Sequence, residues 1–250
     1  MKFRSVLLSM VFALFATAYA GADLVGLWAF NEGSGGVAGD SSGNGNDGVI
    51  NNAVWADGIY GGALEFNGKN ANVEVEYSPE LSAEEYTLMA WINVPGFTGG
   101  GQTIATQLAE DNAPSRNYWM SINAGGRIDT SFSSNSGNTW QILSATSRIV
   151  DGEWHHIAVT YNKALFRCYV DGVVDGEKPI DGEPVPDKAD TVMTIGSAVG
   201  AGWILGRLDE VALYNHALSE DDINDVMLGL SSSVEPADKL ATSWGGIKAR

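Results

Sequence analysis

The stretch Trp154-His155-His156-Ile157-Ala158-Val159-Thr160-Tyr161-Asn162-Lys163-Ala164-Leu165-Phe166-Arg167-Cys168-Tyr169-Val170-Asp171-Gly172 decides the fold class. Two runs rich in β-branched and aromatic residues flank a polar break, and the second run ends in Asp-Gly, a dipeptide that accepts the left-handed dihedrals of a hairpin turn. The reading is an antiparallel hairpin, Ile157–Tyr161 with Leu165–Val170. Outward from it the chain repeats the same grammar of short apolar segments broken by Gly, Asn, Asp and Ser, with 31 Gly in 250 residues. Strands are predicted at Leu24–Phe30, Gly62–Phe66, Val73–Tyr77, Tyr86–Val94, Thr103–Thr106, Tyr118–Asn123, Arg127–Phe132, Ile142–Ser144, His155–Tyr161, Leu165–Val170, Val192–Ile195 and Gly206–Tyr214. So many strands without intervening helices predict an all-β sandwich of two antiparallel sheets. One short helix is expected after Ser219, which can cap the amides of Glu220, Asp221 and Asp222, with Leu218, Ile223, Val226 and Met227 facing the sheet.

The ends of the chain read differently. Lys2 and Arg4 precede an apolar run from Val6 to Phe15, and Ala18-Tyr19-Ala20 follows as a small-x-small cleavage pattern, so residues 1–20 are read as an export signal. The run is shorter than the roughly 20 residues of a spanning helix. A secreted, extracytoplasmic protein without membrane insertion is the expectation. Residues 21–230 form the predicted domain, and residues 231–250, rich in Ser and small residues, a linker and tail. The one cysteine, Cys168, lies in an apolar segment and is read as a buried thiol. A net charge of −17 argues against nucleic acid and anionic membranes as partners.

The loop Asp40-Ser41-Ser42-Gly43-Asn44-Gly45-Asn46-Asp47-Gly48 crowds amides, carboxylates and glycines. Oxygen donors so arranged suit Ca²⁺, which takes six to eight oxygen ligands. Asn-Gly and Asp-Gly also make plain turns. Both readings stand on the loop alone.

Six phrases then occur in order: Gly26 to Gly35, Asp40 to Gly48, Gly61 to Gly68, Trp154 to Tyr161, Tyr169 to Gly172 and Leu208-Asp209-Glu210-Val211-Ala212-Leu213-Tyr214-Asn215-His216-Ala217-Leu218-Ser219. With them the chain resembles the laminin G-like, concanavalin A-like lectin/glucanase domains of secreted bacterial proteins, over roughly residues 24–230. The resemblance implies a jelly-roll sandwich. It also implies a structural Ca²⁺ tying the loop after the first strand to the late Asp-Glu, with Asp40, Asn44, Asn46, Gly48 and Asp209 as its expected ligands.

Related glucanases carry Glu-x-Asp-x-x-Glu on one strand, which places the two carboxyls about 5 Å apart; this pattern is missing here. Glu74 and Glu76 alternate on one strand and read as solvated. His155 and His156 point to opposite faces of their strand, so one is buried, and they read as packing residues. No catalytic residues are assigned. Carbohydrate recognition needs aromatic faces beside polar groups, and the middle of the chain supplies them: Arg116 to Trp119 beside Asp111 and Asn112, and the loop Asn135 to Gln141. Trp28, Trp91 and Trp154 are read as core. The expected ligand-binding residues are Trp140, Trp203, Trp119, Asn138 and Arg116. The reading is a monomeric, non-catalytic module that binds a glycan or an extracellular protein. A polysaccharide hydrolase or lyase with an unrecognised acid pair, or an assembly domain, is the alternative.

Overall fold

A computed structural model of the chain describes residues 24–97, 100–109, 115–188, 190–198, 200 and 202–229. The predicted signal, the tail, and Asp111 and Asn112 lie outside the described residues. The strands are β1 Leu24–Trp28, β2 Val37–Ala38, β3 Gly48–Asn51, β4 Val54–Asp57, β5 Gly62–Asn67, β6 Asn72–Val75, β7 Tyr86–Asn93, β8 Gln102–Ala109, β9 Ser115–Ile122, β10 Ile128–Ser134, β11 Thr139–Ser144, β12 Trp154–Tyr161, β13 Leu165–Val170, β14 Val173–Pro179, β15 Met193–Ile195 and β16 Leu205–Tyr214, followed by helix α1 Glu220–Met227.

They form two antiparallel sheets, as expected. The first runs β14-β13-β12-β7-β16-β5-β4, with β1 also on β16, and the second runs β11-β10-β9-β8-β15-β6-β3-β2. β16 organises the first sheet. One edge pairs with β7, while the other pairs with β5 at Leu205–Leu208 and with β1 at Val211–Tyr214. Asp209 and Glu210 fall where the neighbour changes, beside a bulge between Asp209 and Ala212 and with Glu210 at φ +50°.

The opening hairpin shows why these residues choose strands. Ile157, Val159, Tyr161, Phe166 and Cys168 enter the core between the sheets. Ala158 and Tyr169, on the opposite face, pack with Met89, Ala212, Leu218 and Ile223 beneath α1. Both faces are covered, so the run is apolar almost throughout. Asp171 and Gly172 both have positive φ, the requirement of a type I′ turn. The helix starts where predicted: Ser219 accepts the Asp222 amide and the Asp222 carboxylate accepts the Ser219 amide, a capping box. Aromatic rings knit the sheets together, with Phe132 of β10 lying 4.4 Å from Tyr161 and 5.4 Å from Phe166 between ring centroids. Each such pair contributes roughly 0.5–1.5 kcal/mol beyond area burial.

Three details differ from expectation. β2, β3, β4 and β14 form where loops were read. Trp28 is fully buried in the core, but Trp91 and Trp154 are only half-buried, on the outer face of the first sheet, where Trp91 stands edge-on to Tyr60 and His156. Tyr77 lies beyond β6 and is exposed.

Candidate functional site

The outer face of the second sheet gathers the aromatic residues that the sequence singled out. Along β9, Tyr118, Met120 and Ile122 point into the core, so Trp119 points out. On strict alternation Arg116 would share the core face with Tyr118. A bulge prevents this: Gln107 pairs with Tyr118 and the next residue, Leu108, pairs with Arg116, leaving Asn117 extra. Asn117 is fully buried; its side-chain amide donates to the carbonyls of Ala83 and Asp187 and accepts the Ala83 amide. Arg116 is thereby returned to the face of Trp119.

There its guanidinium lies 3.8 Å from the Trp119 ring centroid and 4.8 Å from that of Trp140. Trp140 reaches this position from β11, opposite Ser133 of β10, and is 38% exposed. Ser131, opposite Trp119, accepts a hydrogen bond from Arg116 Nη1 at 2.5 Å. Trp119 Nε1 donates to Thr103 Oγ1 at 3.1 Å, which frees its ring face from any polar demand. Ile142, 58% exposed, follows Trp140 on the same face of β11. A cation over an indole contributes about 0.5–2 kcal/mol, the larger figure where water is excluded. Burial lowers the Arg116 pKa to about 10, so the side chain is still a cation at neutral pH.

Trp203 borders this face rather than joining the stack. The Gly202 carbonyl accepts the amide of Thr103, the residue on which Trp119 rests, and Trp203 itself is half-buried. Asn138 does different work: its side chain donates to the Asn135 carbonyl at 2.7 Å and shapes the β10–β11 turn. Sequence reading missed Asp187, which holds that turn from outside by accepting the amides of Ser136 and Gly137 and the Ser133 hydroxyl.

The residues expected around calcium fall into two groups. Asp40 Oδ1 accepts the amides of Leu27 and Ser42 and Oδ2 accepts that of Asn46, filling three of the roughly four lone-pair sites of a carboxylate. Asn44 and Asn46 donate their side-chain amides to carbonyls of β1. Gly48 belongs to β3, opposite Val75. This loop thus straps itself to β1 through hydrogen bonds. Asp209 shares none of those partners. Its Oδ2 accepts the amides of Ile59 and Tyr60 at 2.9 and 3.1 Å, while Oδ1 is buried with no hydrogen-bond partner. The residue is fully buried, and burial pushes its pKa up to about 6 against the pull of the Tyr60, Ile59 and Glu210 backbone amides.

Other oxygens lie close by. A Cβ on Gly58 would meet Asp209 Oδ2 and the Gly62 carbonyl, one on Gly62 the Phe30 carbonyl, and one on Gly61 the Asn31 Oδ1. A buried carboxylate oxygen without a hydrogen-bond donor, in a region that also holds carbonyl and amide oxygens, is of the donor type a hard cation takes, although Asn31 Oδ1 already accepts the Gly62 amide. Among the described residues no three of His, Cys, Asp and Glu converge on one point, so backbone and amide oxygens would have to complete the coordination.

The histidines divide as expected. His156 is buried and its pKa is lowered to about 4 by desolvation. His155 lines a cavity of 310 Å³ and bonds Asp171 through Nδ1 at 2.9 Å and Asp151 through Nε2 at 3.2 Å. Desolvation works against its charged form, but the two acids outweigh it and raise its pKa. With an acid on each ring nitrogen, neither nitrogen is left to act as a base or ligand. Burial pushes the Cys168 thiol up to about 12, which makes it unreactive.

This architecture, two antiparallel sheets with one helix on an outer face, is a lectin-type jelly roll. A laminin G-type model described as concanavalin A-like lectin/glucanases superfamily matches residues 67–224, and the chain belongs to that superfamily. Mouse pappalysin-1 is 23% identical over 201 residues, which cover 74% of this chain and 12% of that protein. Among solved structures, the binding domain of Paraclostridial Mosquitocidal Protein 1 superposes with a TM-score of 0.68 at 17% identity, over 82% of this chain and 51% of that one. Domain 4 of AbnA, an extracellular arabinanase of Geobacillus stearothermophilus solved in complex with arabinotriose, gives a TM-score of 0.65 at 21% identity, over 82% and 98%. These likenesses establish the fold. No helix among the described residues is long and apolar enough to cross a membrane.

Proposed function

We propose that the domain is a non-catalytic recognition module that works outside the cytoplasm as a monomer and binds glycans across the outer face of its second sheet. The observation that carries this reading is the layered arrangement of Trp119, Arg116 and Trp140, which offers an exposed indole on a rigid strand pair. Sugar rings present apolar C–H faces that pack on indoles, while their hydroxyls need the kind of neighbours that Ser131 and Arg116 provide. The arabinotriose bound by the similarly folded arabinanase domain supports a saccharide ligand. The commitment of acids elsewhere supports a non-catalytic role: Glu65 pairs with Arg207, Glu84 with Lys163, Glu177 with Arg167, and Asp151 and Asp171 with His155. Asp129 on β10 accepts the Asn123 side chain.

We further propose that a structural Ca²⁺ binds at Asp209, with Asn31 and the Phe30 and Gly62 carbonyls as candidate further donors. The Asp40 loop, in this reading, fixes β1 so that Phe30 and Asn31 lie opposite β16. The ion would supply charge compensation for the buried carboxylate.

A glycan array probed with the wild-type chain and with Trp140→Ala tests the binding reading. Selective signal from the wild type and its loss in a variant with an unchanged melting temperature is the expected result. Equal signal from the two proteins on every glycan would refute it.

A further inference from the structure

Arg116 is held differently from Arg167 and Arg207. Arg167 and Arg207 each hold a glutamate, Glu177 and Glu65, in this strongly acidic chain. Arg116 has no acidic partner among the described residues; its only side-chain hydrogen bond there goes to the neutral hydroxyl of Ser131. Its Nε is buried without an acceptor among the described residues, and its central carbon lies over both indole rings. A guanidinium packed over two indoles, with no acidic partner among the described residues, gains from any anion that reaches its free N–H groups. The guanidinium is planar and forked, which matches a carboxylate better than a point charge would, and with Nε buried a ligand must meet it at the Nη end. Trp140, over which the guanidinium lies, and Ile142, two residues further along β11, are exposed.

Resting on the glycan-binding reading above, we propose that this face selects acidic glycans, the carboxylate of a uronic-type sugar meeting the Arg116 edge while a neighbouring ring packs on Trp140. The bulge at Asn117 is what makes this possible, because it alone puts Arg116 on the same face as Trp119. The chain's net charge of −17 repels polyanions at long range, so the contact is short-ranged and selective rather than a general attraction for acidic polymers.

The test compares tetragalacturonate with a neutral galactose tetrasaccharide of the same linkage by calorimetry on the whole chain, with a sulfated galactose tetrasaccharide as a third ligand. The wild type is expected to bind the uronate at least about tenfold more tightly than the neutral sugar. Arg116→Gln should abolish the preference by weakening the uronate far more than the neutral sugar, and Arg116→Lys should keep only part of it, since lysine retains the charge but not the fork. Trp140→Ala should weaken both ligands together. Melting curves of each variant confirm that it is folded. Equal wild-type affinity for uronate and neutral sugar would overturn the acidic selection while sparing the glycan reading. Tighter binding of the sulfated ligand would overturn the carboxylate assignment. No binding of any of the three, with Trp140→Ala indistinguishable from wild type, would remove the glycan reading and this inference with it.

Discussion

Removing calcium should expose the cost of burying Asp209, and the size of the effect follows from the carboxylate's surroundings. Oδ2 is satisfied by two backbone amides, whereas Oδ1 is buried with nothing to accept. A folded pKa of about 6 against an ordinary 3.8 means that the ionised group costs the ion-free fold roughly 2–3 kcal/mol at neutral pH. Binding of Ca²⁺ at a hundred times its Kd would return about 2.7 kcal/mol. For a domain of this size each kcal/mol moves the melting temperature by roughly 2–4 °C, so chelation should lower the wild-type midpoint by about 5–11 °C.

Asp209→Asn separates this account from simple loss of contacts. The amide oxygen can still receive the Ile59 and Tyr60 amides, and the charge is gone. In calcium, the wild type should melt above the variant; in chelator, the variant should melt level with the wild type or above it. Differential scanning calorimetry of the two proteins in the two buffers gives the crossing directly. If chelation moves neither protein, or if the variant is lower by the same amount in both buffers, then Asp209 is an ordinary buried hydrogen-bond acceptor and the calcium reasoning fails.

Other perturbations read other parts of the molecule. His156 is neutral in the fold down to about pH 4 but protonates near 6.5 when unfolded, so its contribution is constant above pH 6.5 and falls by up to about 3 kcal/mol as pH drops towards 4. Urea titrations between pH 4 and 7.5 should show this slope in the wild type and a shallower one in His156→Gln. His155 has the opposite sign, stabilising below its unfolded pKa and losing that contribution as pH rises through its raised folded value. Ser219→Ala removes the capping box and should cost about 1 kcal/mol, seen as a lower urea midpoint with unchanged slope. Asn117→Ala leaves the amide and carbonyl of Ala83 and the Asp187 carbonyl without their shared partner, at about 1–3 kcal/mol. It should also weaken binding of the tetrasaccharide that the wild type prefers, by loosening the bulge.

Much of the fold could be read from the chain because its pattern is local. The hairpin of β12 and β13, the Asp171-Gly172 turn that follows it into β14 and the Ser219 cap each involve residues close in sequence, and each forms as expected. The strands that were missed lack that signal. β3, Gly48–Asn51, looks like a continuation of a turn-rich loop, and its place is fixed only by pairing with β6 and β2. β14 contains Gly176 and ends at Pro179, residues that argue against a central strand, and it lies at the sheet edge where they are tolerated. Trp91 and Trp154 were read as core because they sit among apolar neighbours. Alternation instead sends them to the outer face, since Ala90, Ile92 and Ile157 take the inner one.

The aromatic face shows where local reading stops. Composition pointed to Arg116, Trp119 and Trp140, but nothing in the spacing said that they touch. Residues three apart on a regular strand face opposite ways, so the sequence by itself places Arg116 and Trp119 on different sides of the sheet. The extra residue at Asn117 reverses that. Its position depends on Ala83, in the loop after β6, and on Asp187, in the loop after β14. Asp187 in turn fixes the β10–β11 turn that delivers Trp140. One buried asparagine and one loop carboxylate, both distant in sequence from the rings, therefore determine whether two indoles and a guanidinium form a surface. Asp187 therefore couples the two strands that carry the stack, because its carbonyl holds Asn117 beside Arg116 and its carboxylate holds the turn that delivers Trp140.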